Sequence, residues 1–156
     1  MKAVLLWVAV VVGACGCASE PLTLDPIGPS VPKASRFLEG GTLQVYSALT
    51  ERNDSRIKYY YPQNYFVFTP ERTLVKAVVN SQLLSEEPAR VNLPGGKYLV
   101  KAPSDGFGWV YVPVSIKGGA ITEVHLDRRW RLKDVANATN LVRLPDGSPA
   151  GFKAEP

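Results

Sequence analysis

Residues 91–127 read VNLPGGKYLVKAPSDGFGWVYVPVSIKGGAITEVHLD, and this stretch decides the fold class. Apolar and polar residues alternate with a period of two, the spacing that puts every second side chain of a β-strand on one face. The strands predicted here are Ala89 to Leu93, Lys97 to Ala102, Trp109 to Ile116 and Ala120 to Asp127. Between them lie Pro94-Gly95-Gly96, Asp105-Gly106-Phe107-Gly108 and Gly118-Gly119, the residue types that tight turns require. Short alternating strands with a turn about every ten residues indicate an antiparallel sandwich, and the absence of crossover helices argues against a parallel sheet.

The same pattern continues on both sides. Toward the N-terminus, Leu43 and Val45 of Gly41 to Ser47 fall on one face, and Asn64 to Thr69 and Thr73 to Val79 form a hairpin about Pro70-Glu71-Arg72. Glu51 to Lys58 (ERNDSRIK) is polar throughout and reads as a loop, as does Asn80 to Pro88. Toward the C-terminus, Arg128 to Ala138 has room for a helical turn. Asn140 to Leu144 and Ala150 to Ala154 close a hairpin across Pro145-Asp146-Gly147-Ser148. The chain has 156 residues, of which 46% are hydrophobic and 21% charged, enough for one core. Thirteen Gly and thirteen Pro exclude a coiled coil or long helices.

Leu93, Pro94, Gly96, Tyr98, Val100 and Ala102, followed by the alternating strand that ends at Val124 and Leu126, resemble the carboxypeptidase-regulatory or transthyretin-like β-sandwich. The resemblance implies an all-β, Ig-like domain over residues 37–156. It implies no activity, because such domains serve as surface modules in many unrelated proteins.

The N-terminus is an address. One positive residue, Lys2, precedes an unbroken apolar run from Ala3 to Val12 and the small-residue stretch Gly13-Ala14-Cys15-Gly16-Cys17. The run stops short of the ~20 residues that span a bilayer. Val12-Gly13-Ala14-Cys15 resembles the lipobox of bacterial lipoproteins. That resemblance implies a signal peptide over residues 1–14, removed from the mature chain, and diacylglycerol on Cys15, with Cys17 as the alternative register. It places the protein at the cell envelope. Gly16 where some families carry a retaining Asp implies the outer membrane if the source is a diderm bacterium. Ordinary secretion, or a Cys15/Cys17 redox or metal pair, are the competing readings of the same residues. Residues 15–36 contain Pro21, Pro26, Pro29 and Pro32 and read as a polyproline tether. Leu22, Leu24 and Ile27 offer the alternative of an arm packed on the domain.

Catalytic chemistry has little to draw on. The chain has one histidine, His125, which alternation places with Glu123 and Asp127 on the polar, solvated face of a strand. That row is the best metal candidate. However, successive same-face positions lie ~7 Å apart, too far for bonds of ~2 Å to one ion, so no metal and no cofactor is expected. No G-x-S-x-G occurs, and Glu86-Glu87 have no acid–base partner in view; the chain reads as non-enzymatic. Two surface features remain. Tyr59, Tyr60 and Tyr61, with Tyr65, Phe66 and Phe68 behind them, present rings to a glycan or a partner strand. Arg128, Arg129, Trp130 and Arg131, with Lys133, form a basic aromatic patch for lipid phosphates or anionic glycans, or else a connector whose Trp130 plugs the end of the sandwich. The formal charge of +4 is too mild for a nucleic-acid partner. The expected partners are a membrane, through the lipid anchor, and an envelope protein or glycan.

Overall fold

A computed structural model describes residues 21–29, 39–54, 57–80, 87–130 and 139–155. The first strands are β1 (Leu22–Thr23), β2 (Ile27–Gly28), β3 (Gly40–Tyr46), β4 (Leu49–Asp54), β5 (Ile57–Pro62), β6 (Tyr65–Phe68) and β7 (Leu74–Val78). They are followed by β8 (Arg90–Pro94), β9 (Gly96–Ser104), β10 (Gly108–Ile116), β11 (Ile121–His125), β12 (Leu141–Arg143) and β13 (Pro149–Lys153).

The fold is an all-β sandwich. The main sheet runs β12-β13-β2-β10-β9-β6-β7, with β1 also paired to β10, and the facing sheet is β11-β3-β8. Strict alternation in β10 buries Val110, Val112, Val114 and Ile116 and turns Trp109, Tyr111, Pro113 and Ser115 outward. Tyr65, Val67, Val100 and Ala102 join them from β6 and β9, and Leu43, Val45, Val91, Leu93 and Val124 meet them from the facing sheet. Each buried aliphatic side chain contributes about 1.5–3 kcal/mol relative to exposure. This shared face therefore dominates the stability.

Most pairs are antiparallel, as expected, but β11·β3, β1·β10 and β2·β10 are parallel. A parallel pair needs a long crossover. Here most of the main sheet supplies it, because the chain leaves β3, builds β6, β7, β9 and β10, and returns as β11.

Residues 21–29 are not a free tether. Leu22 pairs with Val110 and Ile27 with Val114, and Ile27 is fully buried. The two arm pieces flank a break at 24–26 that lies opposite Val112 and Pro113, where proline interrupts the donor row of β10. On the far side of the arm, a Cβ on Gly151 would come 2.6 Å from Ile27 Cγ2, so only glycine lets β13 approach this closely. The apolar residues between the prolines thus belong to the core, and the domain begins by residue 21 rather than 37.

Glu51 to Lys58 is not a loop either. β4 and β5 form an antiparallel hairpin with Thr50 opposite Tyr61 and Glu51 opposite Tyr60. Its strands pair with each other as a separate two-stranded sheet, so no buried face imposes apolar alternation on them. Glu51 instead holds Lys58 at 2.8 Å and accepts a hydrogen bond from the Tyr60 hydroxyl at 3.3 Å.

If the arm is part of the core, Ile27→Ala should lower unfolding free energy by about 2–4 kcal/mol, the cost of a cavity at a fully buried site. Urea denaturation measures it; a loss below about 0.5 kcal/mol would return residues 21–29 to the tether.

Candidate functional site

A sheet face turned to solvent is ordinarily polar, with apolar residues reserved for the inner face. The outer face of the main sheet is instead aromatic. Phe66 lies opposite Lys101 on β9, and Lys101 lies opposite Tyr111 on β10. The Phe66 ring packs 6.0 Å from Trp109 and 6.4 Å from Phe68. Lys101 Nζ stands 5.5 Å from the Trp109 ring centroid and 5.6 Å from that of Tyr111. Trp109 nevertheless remains 45% exposed, and Leu74 and Val75 on the edge strand β7 are exposed beside the face.

Arg72 completes the row, its guanidinium 5.6 Å from the Tyr111 ring centroid. It follows Pro70 and Glu71 in a turn closed by Arg72 N–H donating to Thr69 O at 2.9 Å. Its φ of 66° is left-handed, a conformation that hairpins of this kind give to glycine. An arginine there retains that strain and carries a cation to the aromatic face.

Next to Trp109 the β4–β5 hairpin makes one wall of a groove of about 400 Å³ lined by Thr50, Tyr61, Gln63, Asn64, Phe66 and Trp109. Rings form its apolar sides, and hydroxyl and amide groups supply its polar edge; no lining residue is charged. Backbone bonds seat the hairpin: Ala48 N–H donates to Pro103 O at 2.8 Å and Gln63 N–H to Ala48 O at 2.9 Å. The buried Asn80 ties the same end. Its Nδ2 donates to Gln63 O and its backbone N–H to Asn64 Oδ1, both at 2.9 Å, and its Oδ1 accepts from Ala89 N–H at 3.0 Å.

The tyrosine triplet is divided by strand alternation. Tyr61 lines the groove with its cross-strand partner Thr50, and Tyr59 shares that side of the hairpin, half-buried. Tyr60 is on the opposite side, 53% exposed and bonded to Glu51. Tyr65 is in the core, where burial pushes its hydroxyl well above the ordinary tyrosine value. Trp109, Lys101, Tyr111 and Arg72 were not candidates from the sequence, although the alternation of WVYVPV already sets Trp109 and Tyr111 apart from the valines.

Arg128 and Arg129 of the basic patch are engaged within the chain. Arg128 Nη2 lies 2.6 Å from Asp146 Oδ2, and Arg129 Nε donates to Asp127 Oδ2 at 2.6 Å. Trp130 is half-buried, stacked 4.3 Å from His125 and edge-on to Phe152 at 5.5 Å, as a plug would be. Arg131, Lys133, Cys15 and Cys17 lie outside the described residues.

The row Glu123, His125, Asp127 is not a solvated face. His125 is buried between Trp130 and Tyr46, whose ring stacks at 4.4 Å, and Asp127 is buried under its bond to Arg129. Aromatic cover, which alternation within one strand does not report, removes His125 from water, while the Glu123 side chain stays 39% exposed. Glu123 Oε2 stands 4.0 Å from His125 Nε2. The His125 side chain holds the Glu123 carboxyl below the ordinary glutamate value, against the opposing effect of partial burial. Among the described residues, no three His, Cys, Asp or Glu side chains form a group that could hold a metal ion.

Comparison of the chain with protein-family models, curated proteins and solved structures finds no match.

Two outcomes test these assignments. Arg129→Ala strands the buried Asp127 carboxylate and should cost about 1–3 kcal/mol, whereas Arg128→Ala at an exposed pair should cost less than about 1 kcal/mol. Equal and negligible losses in thermal unfolding would mean that both arginines serve the surface alone. Because the folded-state Glu123 value is depressed, its contribution is complete above the unfolded glutamate value and is lost as pH falls through the folded one. Glu123→Gln should therefore flatten the acid limb of a stability–pH profile below about pH 4, and an acid limb identical to that of the parent protein would remove this contribution.

Proposed function

We propose that this chain is a non-enzymatic module of the bacterial cell envelope, held on a membrane through lipidated Cys15 and binding its partner with the aromatic face of the main sheet. The observation that carries the reading is Trp109: a large ring, 45% exposed, packed against Phe66 where an unpartnered sheet face would be polar. The groove beside it offers rings, amides and hydroxyls but no nucleophile with a base, and the one histidine is occupied by its two stacked neighbours. These features support recognition rather than turnover.

The arm changes what an anchor would do. Between Cys15 and the first paired residue, Leu22, the chain spans at most about 25 Å fully extended. A lipid on Cys15 therefore keeps the sandwich close to the headgroups instead of several nanometres away. Cys17 as the attachment point shortens the reach further.

Both halves of the proposal are testable in the native cells. Mass spectrometry of the N-terminal peptide should find an acylated Cys15, and Cys15→Ser should move the protein out of the membrane fraction; an unmodified Cys15 and Cys17 would remove the anchor. A photo-crosslinking residue at position 109 should give a defined adduct that is missing when the same residue stands at position 92, on the facing sheet. Identical patterns from the two positions, or none from 109, would overturn the aromatic face as the binding surface.

A further inference from the structure

We infer that the ligand of this face is an acidic polysaccharide. The inference rests on the reading of the face as the binding surface and adds its chemistry. A sugar ring is amphipathic, with a C–H face that stacks on an aromatic ring and a rim of hydroxyls that seeks amides and hydroxyls. The groove presents that pairing, with Trp109 as the stacking surface and Thr50, Gln63 and Asn64 at its edge. The Asn64 Oδ1 is taken by Asn80 N–H, which orients the side-chain amide and leaves its NH₂ as the donor.

The charge of the ligand follows from the cations beyond the groove. Lys101 stands over both Trp109 and Tyr111, and Arg72 stands over Tyr111 from the other end. Among the described residues neither forms a salt bridge, whereas Lys58, Arg90, Lys117, Arg128 and Arg129 are each paired with a carboxylate. Two cations left without carboxylate partners along a strip of rings complement a polymer carrying carboxylates, and Arg72 is held there in a backbone conformation that favours glycine. A chain of uronic-acid units running from the groove along β10, past Trp109 and Tyr111 toward the Pro70–Arg72 turn, meets rings and cations in turn. Lipid headgroups fit less well, because these cations lie over the rings instead of around the rim of an apolar patch.

The test is titration of the full-length protein with oligomers of alginate, polygalacturonate and hyaluronate, each beside its carboxyl-reduced form, at low and high salt. At least one acidic oligomer should bind, with its reduced form about tenfold weaker or worse. Trp109→Ala should weaken binding about tenfold or more with an unchanged circular dichroism spectrum, as truncating a central aromatic anchor does. Lys101→Gln should remove most of the salt dependence while leaving the groove intact. Equal binding of acidic and reduced oligomers would overturn the acidic ligand, and binding that survives Trp109→Ala would overturn the site. Binding of anionic phosphatidylglycerol vesicles with no oligomer bound would replace the saccharide by a lipid surface. A protein adduct from position 109 with no oligomer bound would defeat the saccharide and keep the face; neither adduct nor oligomer would defeat both.

Discussion

The structure depends on β10 being paired along both edges. On one side it runs antiparallel to β9 through nine successive residue pairs, and on the other it holds the arm, β1 and then β2. A strand placed in the interior of a sheet has no free donor row, and its alternation becomes a rigid division between two surfaces. Val110, Val112, Val114 and Ile116 are committed to the core, so Trp109 and Tyr111 are committed to the outer face. The exposed aromatic face is therefore a product of the same backbone ladder that builds the core.

The arm links the two ends of the chain. Ile27 is held between β10 and β13, and Gly28 lies opposite Phe152, so the arm and the closing hairpin are part of one sheet. The same compactness appears at β11, where Trp130 folds back on His125 and meets Phe152 of β13. Residues that read as solvated in a single strand become interior once these two neighbours arrive. The groove has the opposite origin. It exists because the β4–β5 hairpin stands outside the main sheet, seated by a few backbone bonds and by Asn80, and so leaves space between itself and Trp109.

Legibility followed the buried face. Leu43, Val45, Val91, Leu93 and the valines of β10 were readable because burial on one side imposes a period of two, and Pro-Gly turns mark where each strand ends. The β4–β5 hairpin was not, because a strand pair without a buried face carries no such signal, and ERNDSRIK looks the same as a loop. The arm was hidden by its prolines, which forbid a continuous ladder but allow two short paired pieces around a break. Of the candidate site, Tyr61 and Phe66 were visible as part of an aromatic cluster. Lys101 and Arg72 were not, since nothing in the sequence around a lysine or a turn arginine says which ring, dozens of residues away, it will stand over.

The sequence by itself determined the all-β class, the boundaries of most strands and the sorting of side chains between the two faces of each, because these follow from local periodicity and turn chemistry. The tertiary structure decided which strands are neighbours, which are parallel, and which nominally polar residues are covered. It also decided that Trp109, Phe66 and Tyr61 share one groove while Tyr60 faces away. Those outcomes depend on pairings between segments far apart in the chain, and a ladder hydrogen bond is made by backbone groups that every residue carries alike. The choice among partners is made only when the whole apolar face is buried at once.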